Sequence, residues 1–213
     1  RGACRCLGLR AMAEQDLFGE LPVPAARLRQ SRPRPSVAPP QHTWFFALRP
    51  DAADAARLDA CAQRLLASHG VTGKRVGPER LHITLELVGH DSDAKVVEAA
   101  CRAADAVRFP AIDARFDAAV TFSAPSGPFV LLGGDGLNGV RELRTELGCA
   151  LAEHGFSPPR AYEPHMTLGY DPRHRVERIV IDPVGFQIAE FALVKSHIGL
   201  SRHEVVRTWV LSA

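Results

Sequence analysis

His82 and His165 each stand two residues ahead of a threonine, in Leu81-His82-Ile83-Thr84-Leu85-Glu86-Leu87-Val88 and in Pro164-His165-Met166-Thr167-Leu168-Gly169-Tyr170. Side chains change face at every residue of a strand, so each motif sets an imidazole and a hydroxyl side by side. In the first motif the alternation predicts Ile83, Leu85 and Leu87 on one face and His82, Thr84 and Glu86 on the other. In the second, His165 and Thr167 share a face, and Met166 and Leu168 take the other. A pair of histidines is suited to a displacement that moves a proton at both ends. A neutral imidazole takes a proton from the attacking oxygen while an imidazolium gives one to the leaving oxygen, and an unperturbed pKa near ~6.5 lets either ring play either part. Thr84 and Thr167 would donate hydrogen bonds to the non-bridging oxygens of a phosphate held between the rings.

A lone histidine beside apolar residues is ordinarily structural, so the duplication carries the argument. A metal site is the rival use of the pair. Catalytic zinc normally takes three protein ligands, and threonine is a poor partner for a divalent ion, so no metal and no cofactor are expected. No strand-to-helix elbow supports a nucleophilic Ser or Cys. His42, His69, His90, His154, His174, His197 and His203 lack the motif context and are expected at the surface or at helix caps. Arg173 and His174 follow the second motif closely enough to reach the mouth of a cleft.

The elements that must present these residues follow from periodicity and punctuation. The apolar run at 43–48 ends at Pro50 and suits a central strand. A helix is expected over 51–69, capped by Asp51, with Leu58, Cys61, Leu65 and Leu66 inward and Gly70 at its end. After a loop rich in Gly and Lys/Arg, the first motif strand spans 82–88, and a second helix spans 93–106. Strands are expected near 109–122 and 129–133, around the turn Ser123-Ala124-Pro125-Ser126-Gly127-Pro128. A third helix over 137–154 shows Val140, Leu143, Leu147 and Leu151 at helical spacing. The second motif strand follows at 162–170, then strands at 186–196 and 204–211. The class is α+β: two related halves, each a small antiparallel sheet with helical cover, facing each other. Gly133-Gly134-Asp135-Gly136 is a turn, with no phosphate-loop context.

At 213 residues and 46% hydrophobic composition, the chain can bury one sizeable core. Its net charge of +2 is too small to argue for or against a nucleic-acid partner. Seven arginines against three acids give residues 1–40 an excess of +4, which leaves −2 for the remainder. This Pro- and Arg-rich stretch has too few apolar residues to repay ordering and is expected as a flexible tail, with the folded domain at 41–213. Met12 is expected as the natural start. Five cysteines, three of them in helical patterns, fit a reduced, cytoplasmic protein. No apolar run reaches the ~18 residues of a membrane span, so no membrane association is expected, and no obligate protein partner is evident.

Arg80-Leu81-His82-Ile83-Thr84-Leu85-Glu86-Leu87-Val88-Gly89 and Pro164-His165-Met166-Thr167-Leu168 resemble the two signature motifs of the 2H phosphoesterase superfamily, in its bacterial RNA 2′,3′-cyclic phosphodiesterase (2′-5′ RNA ligase) branch. The resemblance extends over about 43–211. It implies a bilobal fold with a pseudo-twofold cleft and metal-independent opening of a 2′,3′-cyclic phosphate on RNA ends or small nucleotides to a 2′-phosphomonoester. It further implies that His82 donates the proton to the departing 3′ oxygen and that His165 activates water. The residues by themselves leave those two roles interchangeable. Ligation to a 2′-5′ bond, or binding of RNA ends without turnover, are the alternative readings. Many relatives continue the second motif with Ala-Arg. Here Gly169-Tyr170 stands instead, and Arg173 or Arg175 is the expected substitute.

Overall fold

The computed structural model describes residues 39–157 and 161–212. Nearly all of the expected Arg- and Pro-rich tail lies outside them. Nine strands and three helices follow in chain order: β1 (His42–Leu48), α1 (Ala52–Ser68), β2 (Lys74–Arg75), β3 (Ile83–His90), α2 (Ala94–Ala106), β4 (Ile112–Thr121), β5 (Pro128–Leu132), α3 (Asn138–Glu153), β6 (His165–Tyr170), β7 (Ile179–Ile188), β8 (Glu190–His197) and β9 (Arg202–Val210). Local chemistry sets several of these limits. The Asp51 carboxylate accepts from the Asp54 amide to cap α1, and Asp93 does the same for Val96 at the start of α2. Gly70, at φ +65°, follows α1.

The strands form one mixed-length antiparallel sheet in the order β7-β4-β5-β6-β3-β1-β8-β9, with β2 paired to β6. The two expected halves are its two four-stranded flanks. They meet at the centre through a single bridge, Ile83 opposite Met166. Each half repeats strand, helix, motif strand: β1, α1, β3 in one and β5, α3, β6 in the other. Both helices reach across the seam, α1 onto β6 and β7 and α3 onto β3, while α3 also packs on β4 of its own half.

One continuous core fills the space between the helices and one face of the sheet, with Phe46, Leu58, Ile83, Phe116, Leu147 and Met166 all at 0% exposure. Each such side chain contributes about 1.5–3 kcal/mol by leaving water. The opposite face carries two small apolar clusters, Phe45, Ala47, Ala192 and Val194 on one half and Ala118, Val130 and Leu132 on the other.

Two expectations require correction. The strand expected over 186–196 is two strands, because β7 begins at Ile179 and the chain turns at Ala189. β7 is an edge strand with an outward side, which is where Pro183 and the 89% exposed Val180 are tolerated. The loop after α1 contains β2, and its two exposed residues offer no apolar alternation to reveal it.

Candidate functional site

The strict alternation expected along the first motif fails after Leu85, and the failure shapes the site. Ala47 pairs with Thr84 but Phe46 with Glu86, so Leu85 is the extra residue of a β-bulge. Leu85 stays in the core at 2% exposure, Glu86 turns to the helix side, and Leu87 turns outward at 50% exposure. Glu86 there meets Arg144 of α3 at 2.9 Å. The second motif strand does the same one residue past its threonine. Val130 pairs with Thr167 and Phe129 with Gly169, which leaves Leu168 as the extra residue and turns Tyr170 outward beside Pro128. The two strands are thus matched through both bulges.

Extending the Ile83–Met166 pairing by one residue in each direction sets His82 opposite Thr167 and Thr84 opposite His165. Directly opposed residues of an antiparallel pair bring their Cβ atoms to about 5 Å. The four motif side chains therefore stand together on the face away from the helices. His82 Nδ1 lies 2.7 Å from the carbonyl oxygen of Arg80, and His165 Nδ1 lies 2.8 Å from that of Glu163. A carbonyl only accepts, so each ring donates through Nδ1 and keeps Nε2 for the space between the strands. An apolar ring backs each imidazole, Phe45 at 5.2 Å from His82 and Phe122 at 5.0 Å from His165. Below the seam the Tyr162 hydroxyl donates to the Thr84 carbonyl at 2.7 Å, and the Arg144 guanidinium lies 4.9 Å above the Tyr162 ring. Burial pushes the Tyr162 phenol above its usual range, so it remains a proton donor there.

A groove of about 340 Å³ opens from His82, Thr84 and Thr167 across the outer face of the β3-β1-β8-β9 half. Arg80, Leu87, Tyr170 and His203 line it with Thr43 and Ser196, and no carboxylate does. Thr43, Ser196 and His203 form one row across β1, β8 and β9. His203 is the site residue that sequence reasoning misplaced at the surface. Its ring meets His82 edge-on at 5.2 Å and Phe45 at 5.6 Å. Only the pairing of β1 with the distant β8-β9 hairpin brings it there, and no local motif announces it.

The histidines differ in surroundings. Burial takes the pKa of His82 down to about 4, opposed by its bond to the Arg80 carbonyl and reinforced by the charges of His165, Arg49 and Arg80. Burial also takes His203 down to about 4, with His82, Arg80 and Arg49 adding to it. Both rings are therefore neutral at pH 7.

Other expected participants lie elsewhere. The Arg175 guanidinium donates to the carbonyls of Phe122 and Ala124 at 2.6 and 2.8 Å, holding the loop that carries Phe122. A larger hollow of about 540 Å³ surrounds Arg175, but it contains neither motif. The Arg173 and His174 amides bond to Asp171, and neither side chain lines the groove. His69 and His154 cap α1 and α3, as expected. His42 bonds to Asp91, His90 to Thr43 and His197 to Glu204. Among the described residues, no three His, Cys, Asp or Glu side chains are grouped to hold a metal ion, and no helix is long and apolar enough to cross a membrane. Cys61 and Cys101 are half-buried and Cys149 is exposed, all with free thiols.

This fold has close counterparts among solved structures. Escherichia coli LigT, crystallised with NADP+, superposes with a TM-score of 0.64 at 23% identity, covering 82% of this chain and all of that one. TT0787 of Thermus thermophilus gives 0.62 at 20% identity, covering 79% of this chain and 97% of that one. An RNA 2′,3′-cyclic phosphodiesterase of Aeropyrum pernix is 34% identical over 106 residues, which are 48% of this chain and 60% of that protein. The model of the 2′-5′ RNA ligase superfamily matches residues 38–199, a span that contains both His-x-Thr strands and the bulge behind each. The chain therefore belongs to the 2′-5′ RNA ligase superfamily, the 2H phosphoesterases.

Proposed function

We propose that this protein hydrolyses 2′,3′-cyclic phosphates on RNA ends or small nucleotides to 2′-phosphomonoesters, with His82 and His165 as the proton-transfer pair. The observation that carries the reading is the antiparallel register, which opposes His82 to Thr167 and Thr84 to His165 with both Nε2 atoms left for a ligand. Water attacks phosphorus as the bond to the 3′ oxygen breaks. His165 Nε2 accepts the proton from the water, and His82 Nε2–H delivers one to the departing oxygen. Thr84 and Thr167 donate to the non-bridging oxygens throughout. The direction of transfer comes from the family resemblance. It asks His82, neutral when the groove is empty, to be protonated when it is filled. An anionic phosphodiester beside the ring favours the imidazolium and offsets the charges of Arg49 and Arg80, which lower the pKa of His82 in its absence.

Replacing His82 or His165 by Ala is expected to cut hydrolysis of a 2′,3′-cyclic nucleotide by about 10²–10⁴-fold each. Retention of activity within tenfold in either variant would remove that ring from proton transfer. The same groups run the reverse reaction, and the superfamily model is named for ligation. Incubating fragments that end in a 2′,3′-cyclic phosphate and a 5′ hydroxyl tests for a 2′-5′ linked product. Saturable binding with no product from either incubation would leave an RNA-end binding module.

A further inference from the structure

The one fixed charge in the lining of the groove is positive. The walls carry Arg80, His82 and His203 and no acid. Arg57, Arg75, Arg102, Arg115, Arg141, Arg144 and Arg207 all meet carboxylates, and Arg175 meets two carbonyls. Arg173 and Arg178 are exposed. Arg80 is different. Its Nε is shielded from solvent and has no hydrogen-bond partner, and its guanidinium makes no ion pair among the described residues. A shielded guanidinium donor without an acceptor carries its desolvation cost uncompensated. The backbone of Arg80 is nevertheless held firmly. Its amide closes a 3-10 turn on Gly77 at 3.0 Å, and its carbonyl receives the Nδ1–H of His82. The backbone that carries this charge is thus fixed beside the motif, and Arg80 is among the causes, after burial, that lower both His82 and His203.

We propose that Arg80 is the phosphate-binding cation of this groove, its guanidinium donating to the non-bridging oxygens that Thr84 and Thr167 also meet. The assignment rests on the reading of the groove as a phosphoester site and names the residue that supplies its positive charge. A tetrahedral oxyanion provides what the shielded donor lacks, and a guanidinium matches two of its oxygens at once, which an ammonium does not. It places the cation ahead of the first motif, where Tyr170 stands after the second.

The experiment is titration of the full chain with inorganic phosphate, followed by calorimetry, for the parent, Arg80→Met, Arg80→Lys and Arg175→Met. Arg80→Met is expected to weaken phosphate binding at least tenfold, Arg80→Lys by less, and Arg175→Met by no more than twofold. Steady-state hydrolysis by Arg80→Met should show a raised KM. The titration of the His82 ring, followed by NMR without phosphate, should move upward in Arg80→Met, since one of the charges opposing its protonation is gone. Should Arg80→Met fail to fold, Arg80→Lys decides, because it keeps the charge and loses only the paired geometry. Phosphate binding by Arg80→Met within twofold of the parent would overturn the assignment. So would a parent that hydrolyses a cyclic nucleotide but binds no phosphate, and that outcome leaves the proposed reaction standing. Phosphate binding that depends on Arg80, without hydrolysis of any cyclic phosphate, sinks the reaction and supports the assignment.

Discussion

His82 is where the demands of folding and of chemistry meet in one side chain. The fold encloses its ring against Phe45 and His203, and that enclosure holds its pKa near 4, against 6.5 for a free side chain. In the unfolded chain the ring returns to its ordinary value and binds a proton that the folded form refuses. Protonation therefore favours unfolding once pH falls below about 6.5, and the loss continues until the folded ring titrates near 4. His82 alone accounts for about 2 kcal/mol of lost stability between pH 7 and pH 5. Urea unfolding of the parent and of His82→Phe at the two pH values checks this, because the variant should show a smaller fall. An equal fall in both would mean that the ring is protonated in the folded protein at pH 5. The two motif histidines were legible because each carries its threonine within a local pattern. His203 was not, since its place beside His82 depends on the register of β9 against β8 and of β8 against β1, which no short stretch encodes.

At the level of elements, the two bulges decide what faces the groove. Alternation correctly placed His82, Thr84, His165 and Thr167, all of which precede the bulges, and failed for Glu86 and Leu87, which follow one. A bulge leaves little trace in composition, because Leu85 and Leu168 look like ordinary core residues and are buried as such. The strand that supports Tyr170 was equally hidden. β2 pairs alongside it, Lys74 opposite Tyr170, and Gly73 comes so near that a Cβ there would sit 1.9 Å from the Tyr170 carbonyl oxygen. Nothing flexible can yield, because the obstacle is backbone. Gly73→Ala is therefore expected to push β2 away from β6, with a cost of about 1–3 kcal/mol from overpacking. Because Tyr170 lines the groove, Gly73→Ala should also raise KM for a cyclic nucleotide. An unfolding midpoint equal to the parent's would show that β2 does not depend on that close approach.

Across the whole sheet, the site exists because two four-stranded flanks meet in one register. Their direct pairing is the Ile83–Met166 bridge, and the helix-side core beneath it is continuous from one flank to the other. A slip of one residue at that bridge would turn the motif side chains of one strand into the core and its apolar partners outward, at a cost the core does not permit. Stability and site geometry are therefore coupled at the seam more tightly than elsewhere, and two core substitutions can separate the effects. Met166 and Leu147 are both at 0% exposure in the same cluster, but Met166 lies on the bridge and Leu147 on α3. Replacing either by Ala is expected to cost about 2–5 kcal/mol through lost burial and the cavity left behind. One continuous core predicts a single cooperative transition for each variant. At a temperature where both remain folded, Met166→Ala should lower kcat for the cyclic phosphate well beyond Leu147→Ala, because only the former loosens the register that opposes His82 to Thr167. Comparable kcat values at comparable stability loss would mean that the flanking sheets, rather than the bridge, hold the two motifs in place.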